Sequence, residues 1–214
     1  MGQVFHVDQS DPSDEIVNHA ASVLRGGGIV LLPTDTVYGL CCVLSDSVTT
    51  GAQELFDIKR RETGISIPVL VSKPTDLYVG GKDIPDYAKK LAETFWPGPL
   101  TIVVKASDRV KPEFRKKEDG SIALRCADSE LVRKLILAAG GALFATSANT
   151  HQKPAPARFE DIEQRIIDAA DCVLNGGDCA EGISSTIVVC TGDAPQVTRE
   201  GSITEAQIKE ALGA

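Results

Sequence analysis

The feature that most constrains the fold of this chain is a repeated alternation of amphipathic helical patterns with short apolar runs. Ser13 can cap a first helix whose apolar residues recur every three or four positions from Ile16 to Leu24. Gly26-Gly27-Gly28 ends that helix, and the continuous apolar run at residues 29–32 then predicts a strand buried on both faces. Because the alternation continues to the end of the chain, the sequence predicts an α/β protein with a twisted, mixed parallel and antiparallel sheet flanked by helices.

The remaining elements follow from the same two periodicities. We predict helices at residues 48–58, 87–95, 131–139 and 159–169, and a last helix from Thr204. We predict strands at residues 68–71, 100–104, 122–124, 143–145 and 186–189, and a short strand at Val173. Since neither an internal repeat nor a change of composition divides the chain, we expect residues 1–214 to form a single domain.

The balance of charge and the distribution of apolar residues argue against several classes of protein. With 22 lysine and arginine residues against 30 aspartate and glutamate residues, the net charge is −8, which argues against a protein that coats nucleic acid without specificity. No apolar run approaches the roughly 20 residues that a membrane-spanning helix needs. The first residues also lack the basic and apolar regions of a signal peptide, so we expect a cytoplasmic protein without a membrane partner.

The six cysteines are expected to be buried thiols. None of them forms a Cys-x-x-Cys pair, and most lie inside apolar runs, which is typical of small buried residues in a reducing compartment. Their spacing does not fit a structural zinc site, and the three histidines are far from them in the sequence. We therefore predict no metal site made by the protein itself.

Two polar motifs that are far apart in the sequence are candidates for binding an anion. Lys59 and Arg61 flank Arg60 where a helical pattern gives way to a loop, and a guanidinium fork with a movable ammonium suits phosphate or carboxylate. Ser147 and Asn149 follow a predicted strand, and ligands of open α/β sheets usually bind beyond strand ends. The alternative for both motifs is structural, because cations also satisfy helix C-termini and Ser and Asn also form turns.

Other candidate residues also follow predicted strands. Thr36 and Tyr38 come soon after the strand at 29–32, where they could contact a substrate or belong to a turn. Arg125 ends another strand, where an inward-pointing guanidinium would suit an α-carboxylate and an outward-pointing one would be a surface charge. Ser147 is not expected to be a nucleophile, because no Gly-x-Ser-x-Gly turn surrounds it.

Five motifs, taken together and in order, are similar to those of one known family. They are the segment Pro-Thr-Asp-Thr-Val-Tyr-Gly-Leu at 33–40, Lys59-x-Arg61, Trp-Pro-Gly-Pro-Leu-Thr at 96–101, Ser147-x-Asn149, and Ser185-Thr186-Ile187. In this set the chain resembles the YrdC/TsaC family of threonylcarbamoyl-AMP synthases, over nearly its whole length. The resemblance implies a short, single-domain YrdC-like fold in which the sheet and its helices surround a positively charged cavity.

The resemblance implies an ATP-dependent nucleotidyltransferase, an L-threonylcarbamoyladenylate synthase. Its substrates are ATP, L-threonine and bicarbonate or CO₂, and its products are threonylcarbamoyl-adenylate and pyrophosphate. Mg²⁺ is expected to arrive with ATP. A partner transferase would then move the threonylcarbamoyl group to tRNA to form N6-threonylcarbamoyladenosine (t6A37), which makes tRNA an indirect partner.

The resemblance also implies a role for each matching residue. Lys59 and Arg61 are the expected catalytic cations, and both also bind the nucleotide phosphates. The other expected nucleotide contacts are Ser121, Ser147, Asn149 and Arg199. The expected L-threonine contacts are Thr36, Arg125 and Ser185, and Tyr38 is expected to form a wall of the cavity. From chemistry alone, Ser184 would be as good a candidate as Ser185.

The chain departs from the family pattern at two places. The family usually has Lys or Asn and then Pro where this chain has Ile65 and Ser66, so a polar contact to the nucleotide is missing or comes from elsewhere. The family also usually has a Ser-Gly pair after Ser-x-Asn, whereas this chain continues with Thr150 and His151. Both departures affect the expected nucleotide site.

Three alternatives stay open at this point. A double-stranded RNA or tRNA binding protein would use the positive cavity without catalysis, although the net charge of −8 weighs against it. A YrdC-like paralogue of unknown substrate would keep the fold and change the ligand. A carbamoyl-adenylate module of a larger hydrogenase-maturation protein would carry accessory regions that this sequence lacks. The basic stretch between Lys111 and Lys117 suits a solvated loop, an RNA contact or a lid.

Overall fold

Strands and helices alternate throughout the part of the chain that the computed structural model describes, residues 2–44, 50–59 and 67–213. Four residues discussed above lie outside it: Arg60, Arg61, Ile65 and Ser66. The beginning of the helix predicted at 48–58 also lies outside the described residues.

The chain divides into two compact units. The first is formed by residues 1–63 and 129–183, and the second by residues 64–128 and 184–214. Each unit combines two separate segments of the sequence. The expectation of a single domain over residues 1–214 stays a prediction.

The first unit contains a mixed sheet. Its strands are β1 (Gln3–His6), β2 (Val30–Leu32), β3 (Gly39–Val43), β7 (Leu143–Ser147) and β8 (Cys172–Asn175), and they lie side by side in the order β1-β8-β2-β3-β7. β8 pairs in parallel with β1 and β2, whereas β3 pairs antiparallel with β2 and β7. Every residue of β2 and β3 is buried, as the apolar run at 29–32 predicted for β2.

The helices of the first unit are α1 (Asp14–Arg25), α2 (Thr50–Lys59), α5 (Glu130–Ala139) and α6 (Gln164–Ala169). Ser13 caps α1 as predicted, because its Oγ accepts a hydrogen bond from the Ile16 amide at 3.4 Å. Ser129 caps α5 in the same way. The two capped helices pack against each other and bury their apolar faces.

The second unit also contains strands that pair in both the parallel and the antiparallel direction. Its strands are β4 (Val69–Leu70), β5 (Leu100–Lys105), β6 (Ser121–Arg125), β9 (Thr186–Val189) and β10 (Gln196–Arg199), in the order β4-β6-β5-β9-β10. Parallel and antiparallel pairs alternate along this order. The helices are α3 (Leu77–Gly80), α4 (Asp86–Phe95) and α7 (Glu205–Leu212), and α4 packs against both α7 and β5.

The structure corrects the sequence predictions at several elements. The prediction of one helix at 159–169 is wrong, because the backbone at Ile162 and Glu163 is not helical and only α6 is an α-helix there. The cause is visible at Glu163, whose carboxylate bonds the backbone and side chain of Thr150. β1, β3 and β10 were not predicted. β1 and β10 are short and mostly exposed, and β3 follows a turn-forming segment.

All six cysteines are free thiols and all are buried, which confirms their interpretation as small buried residues. Burial raises the pKa of Cys172 to about 11 and that of Cys190 to about 12, so both thiols are protonated at neutral pH. In the part of the chain that the structure describes, every helix is too short or too polar to cross a membrane.

Candidate functional site

The antiparallel pairing of β3 with β7 brings together two of the motifs found in the sequence. Gly39 of the segment at 33–40 lies opposite Ser147 in the ladder. One step further, the Ala148 amide donates to the Tyr38 carbonyl at 2.8 Å. The turn before β3 and the end of β7 are therefore neighbours in the first unit, although they are far apart in the sequence.

Lys59 is the last residue of α2, and its side chain reaches the end of β7. Its Nζ donates to the Ser147 carbonyl at 2.6 Å, to the Ser147 hydroxyl at 3.1 Å and to Asn149 Oδ1 at 3.0 Å. The residue is only 4% exposed. All three of these acceptors are neutral oxygens, and a lysine ammonium has three N–H donors. These bonds join α2 to β7 and do not cap the carbonyls of the lysine's own helix.

Ser147 and Asn149 are themselves linked by hydrogen bonds. The Ser147 hydroxyl donates to Asn149 Oδ1, and the Asn149 amide nitrogen in the backbone donates to the Ser147 carbonyl at 2.9 Å. The Asn149 side-chain amide donates to the carbonyl of Lys153. The Ser147 carbonyl oxygen and Asn149 Oδ1, two of the three oxygens that face Lys59, are thus each also held by a second donor, which fixes their positions.

A cluster of charged side chains holds the loop that follows Asn149. Glu163 accepts from the Thr150 amide at 3.1 Å, from the Thr150 hydroxyl at 2.6 Å and from the Lys153 ammonium at 3.0 Å. These bonds, with that from the Thr150 hydroxyl the strongest, lower the pKa of Glu163 to about 2. Arg165 donates to the Thr150 hydroxyl and to the Ile58 carbonyl of α2, the latter at 2.7 Å. The cluster therefore ties the loop to the helix that carries Lys59.

A cavity of about 370 Å³ lies beside Asn149 in the first unit. Much of its lining consists of small apolar or proline residues, with polar groups at the edge; the lining residues are Ala148, Asn149, Lys153, Pro154, Ala155, Pro156, Ala157, Asp161 and Glu163. Its size lies within the range of small-molecule sites in proteins. The lining offers both flat apolar contacts and hydrogen-bonding groups.

The predicted substrate residues before β3 are deeply buried. Thr36 is 1% exposed, and its hydroxyl lies 3.0 Å from that of Thr34. Tyr38 is fully buried; its hydroxyl donates to the Gly177 carbonyl at 2.8 Å and accepts from the Gly176 amide at 3.1 Å. Burial raises the pKa of Tyr38 to about 12, so this hydroxyl stays neutral.

In the second unit, the Trp-Pro-Gly-Pro-Leu-Thr segment at 96–101 contacts the predicted arginine. Arg125 ends β6 and is 6% exposed, and its Nε donates to the Gly98 carbonyl at 3.2 Å. The Gly98 amide donates to the Cys126 carbonyl at 2.8 Å, which fixes the same segment to the backbone next to Arg125. The side chain is thus buried, whereas a surface charge was the alternative prediction.

Ser185 is also held by this segment. Its hydroxyl lies 2.9 Å from that of Thr101, and Arg199 donates to the Ser185 carbonyl at 2.9 Å and to its hydroxyl at 3.1 Å. The next amide, that of Thr186, donates to the Pro99 carbonyl at 2.9 Å. These contacts distinguish Ser185 from Ser184, which the sequence alone did not.

Ser121 lies at the other end of β6 from Arg125. It is fully buried, its amide donates to Asp119 at 3.0 Å, and its hydroxyl has no hydrogen-bond partner among the described residues. Four residues of extended strand separate it from Arg125 by about 13 Å. The two side chains can therefore contact different parts of a ligand but cannot share one small group.

The structure gathers the predicted site residues into two sets. Lys59, Ser147 and Asn149 form a hydrogen-bonded cluster in the first unit, where Thr36 and Tyr38 also lie. Ser185 and Arg199 bond each other in the second unit, which also contains Arg125 and Ser121; Arg61 lies outside the described residues. Among the described residues, no group of three or more His, Cys, Asp or Glu side chains is placed to hold a metal ion.

Two kinds of contact in the structure were not predicted from the sequence. Thr101 was noted as part of a motif without a role of its own, although a threonine within an apolar strand is a detectable signal. Glu163 and Arg165 carried no signal at all, because charged residues near a helix are ordinary on a protein surface. Their bonds to Thr150 and α2 appear only in the tertiary structure.

The chain is similar to a known protein family and to individual proteins. The model of the Sua5/YciO/YrdC family, described as "Telomere recombination", matches residues 22–201. The chain is 31% identical over 194 residues to the threonylcarbamoyl-AMP synthase of Pyrococcus abyssi, a match that covers 91% of this chain and 56% of that protein. It is 29% identical over 213 residues to the putative threonylcarbamoyl-AMP synthase of Mycobacterium leprae, covering 100% of this chain and 95% of that protein.

Two solved structures have closely similar folds. P. abyssi Sua5 complexed with L-threonine matches with a TM-score of 0.90 at 29% identity, over 99% of this chain and 61% of that chain. Escherichia coli YciO matches with a TM-score of 0.87 at 22% identity, over 97% of this chain and 99% of that chain. Both likenesses confirm the predicted fold class of a mixed sheet flanked by helices. The chain spans less than two thirds of the length of the P. abyssi protein.

Proposed function

The chain belongs to the Sua5/YciO/YrdC family, and we propose that it is an ATP-dependent L-threonylcarbamoyladenylate synthase. The reaction joins L-threonine, bicarbonate or CO₂, and ATP, and it releases pyrophosphate. The observation that carries the proposal is the buried Lys59 ammonium, held by Ser147 and Asn149 at the meeting point of two family motifs. The names of the P. abyssi and M. leprae relatives support the same activity.

The cluster in the first unit is proposed to bind the nucleotide. Lys59 is cationic and contacts three neutral oxygens, so a phosphate oxygen can replace one of them, most easily the Ser147 hydroxyl at 3.1 Å. Asn149 lies at the edge of the 370 Å³ cavity, whose apolar lining suits the flat face of an adenine ring. Arg61 is proposed as the second cation at the phosphates.

The second unit is proposed to supply most of the contacts to L-threonine. Arg125 is buried and tied to Gly98 through its Nε, and a guanidinium can grip an α-carboxylate through two parallel N–H bonds. Ser185 and Thr36 are proposed as further contacts to the amino acid. Ser121 and Arg199 are proposed to contact the nucleotide.

The proposed chemistry needs no nucleophile from the protein. The threonine amine attacks CO₂ and loses a proton, which gives a carbamate. A carbamate oxygen then attacks the α-phosphorus of ATP, the bond to the β-phosphate oxygen breaks, and pyrophosphate leaves. Catalysis therefore rests on positioning the reactants and on stabilising negative charge, which is the proposed role of Lys59 and Arg61.

Mg²⁺ is proposed to enter with ATP as part of the substrate, where it would offset the charge of the triphosphate. The proposed next step is transfer of the threonylcarbamoyl group to tRNA by a partner enzyme, which would place this chain in t6A synthesis. Because tRNA modification is the proposed role, a cytoplasmic location is proposed as well. The six free, buried cysteines agree with a reducing compartment.

The first test is pyrophosphate release from ATP, with L-threonine and bicarbonate each omitted in turn. The proposal expects release that requires both, and that falls when serine replaces threonine. Release without threonine would contradict the proposed acceptor. Absence of release together with salt-sensitive binding of double-stranded RNA would favour the non-catalytic alternative instead.

The second test uses the Lys59-Arg60-Arg61 sequence, which contains its own control. Lys59→Ala and Arg61→Ala are expected to abolish pyrophosphate release, because each removes a cation from the phosphates. Arg60→Ala is expected to leave release near the wild-type rate. Equal activity for all three variants would contradict the assignment of the nucleotide site.

A further inference from the structure

Thr101 places a hydroxyl group inside an apolar strand. It lies between Leu100 and Ile102 in β5, and its side chain is fully buried. Its Oγ1 is 2.9 Å from the Ser185 Oγ, and it makes no other hydrogen bond with the residues that the structure describes. A buried hydroxyl proton needs an acceptor, so the Ser185 oxygen is the acceptor available to Thr101.

The direction of this hydrogen bond decides what Ser185 can do. Arg199 Nη2 lies 3.1 Å from the Ser185 Oγ, and a guanidinium can only donate. If Thr101 also donates, both lone pairs of the Ser185 oxygen are occupied. The reverse direction, with Ser185 donating to Thr101, would leave the buried Thr101 proton without an acceptor. The arrangement that gives the buried Thr101 proton an acceptor therefore has Thr101 and Arg199 as donors and Ser185 as a double acceptor.

In this arrangement the Ser185 proton remains to be donated. A hydroxyl that already accepts two hydrogen bonds, one of them from a cation, is a polarised donor, and its preferred partner is an anionic oxygen. We propose that Thr101 is a positioning residue that turns the Ser185 hydroxyl into an obligatory donor to the carboxylate of L-threonine. The inference rests on the proposed function, because that function makes Ser185 a threonine contact.

The proposal predicts a change in specificity for the carboxylate rather than a general loss of binding. Thr101→Val keeps the shape of the side chain and removes the donor, so Ser185 becomes free to accept or donate in either direction. Binding of L-threonine and of L-threoninol, in which a hydroxymethyl group replaces the carboxylate, would be measured by calorimetry on the full chain. Thr101→Val is expected to reduce the preference for L-threonine about tenfold, the scale of one hydrogen bond to a charged group.

Matched variants separate this role from a structural one. Thr101→Ser restores the donor and is expected to restore the preference. Thr198→Val makes the same chemical change in β10 of the same unit, where the hydroxyl is exposed and lies 3.4 Å from the Ile187 carbonyl. This control is expected to keep the wild-type preference. If Thr101→Val lacks a cooperative unfolding transition, Thr101→Cys, with its weaker S–H donor, carries the same comparison.

The possible results are distinguishable. The positioning role is overturned if Thr101→Val keeps the wild-type preference for L-threonine over L-threoninol, or loses affinity equally for both ligands. In that case pyrophosphate release by the wild-type chain still supports the synthase. A wild-type chain that neither binds L-threonine nor shows threonine-dependent release overturns the proposed function and this inference together. A selective loss that Thr101→Ser reverses supports both.

Discussion

Replacing Lys59 with methionine removes the buried ammonium and keeps a side chain of similar length. The three oxygens that Lys59 contacts at Ser147 and Asn149 each keep a hydrogen bond in this variant, because the Ser147 hydroxyl still donates to Asn149 Oδ1 and the Ser147 carbonyl still accepts from the Asn149 amide. The lost hydrogen bonds are also offset by the removal of a charge from a site that is only 4% exposed. We therefore expect the free energy of unfolding to change by no more than about 1–2 kcal/mol.

The expected effect of Lys59→Met on activity is much larger. A fixed donor aimed at developing negative charge contributes about 2.7–4 kcal/mol to catalysis, and two unit charges 4 Å apart near a protein surface interact by about 4 kcal/mol. The value of kcat/KM for pyrophosphate release should therefore fall by about a hundred- to a thousandfold. Lys59→Arg should not restore it, because a planar guanidinium cannot direct three donors from one atom toward Ser147 and Asn149.

The assay pairs initial rates of pyrophosphate release with unfolding in urea. Lys134→Met is the matched control, since Lys134 is a partly exposed lysine of the first unit that donates to the Pro12 carbonyl at 3.1 Å. It should change neither quantity by much. If Lys59→Met kept more than a tenth of the wild-type kcat/KM, the assignment of Lys59 to the phosphates would be wrong. A loss of more than about 3 kcal/mol in the free energy of unfolding would contradict the prediction of a small effect on stability.

Three further predictions concern stability. Hydrogen bonds from Thr150 lower the pKa of Glu163 to about 2, so its carboxylate stabilises the fold above its unfolded pKa near 4.5 and ceases to do so as pH falls toward 2. The difference in Tm between wild type and Glu163→Gln should therefore be largest above pH 5 and should shrink below 4.5. A difference in Tm that stays constant with pH would contradict this prediction. Tyr38→Phe should lower the free energy of unfolding in urea by about 1–2 kcal/mol, because its hydroxyl both donates and accepts a backbone hydrogen bond. Gly201→Ala would place a Cβ 2.0 Å from a carbonyl oxygen and should cost about 1–3 kcal/mol in the same assay, whereas Gly192→Ala, which meets nothing within 4 Å, should cost less than 1 kcal/mol.

Local sequence signals predicted the elements whose formation depends on near neighbours. Ser13 and the apolar spacing after it predicted α1, because capping and helical periodicity act over a few residues. The prediction of one helix at 159–169 was wrong because a tertiary contact, and not a near neighbour in the sequence, decides the structure there. Glu163 continues the helical pattern in sequence, but its carboxylate bonds the distant Thr150, and that tertiary contact overrides the local preference.

The amino-acid sequence by itself determined which side chains are available for chemistry: a lysine and an arginine after a helix, and small hydroxyl and amide groups after strands. The tertiary structure decided which of them meet. Lys59 and Asn149 are 90 residues apart and Thr101 and Ser185 are 84 apart, and each pair bonds because strand pairing and helix position bring the two segments to one place. The sequence could not distinguish Ser185 from Ser184, because the difference lies in which hydroxyl faces Thr101 and Arg199. That orientation depends on the register of β5 with β9, a long-range property that no local pattern encodes.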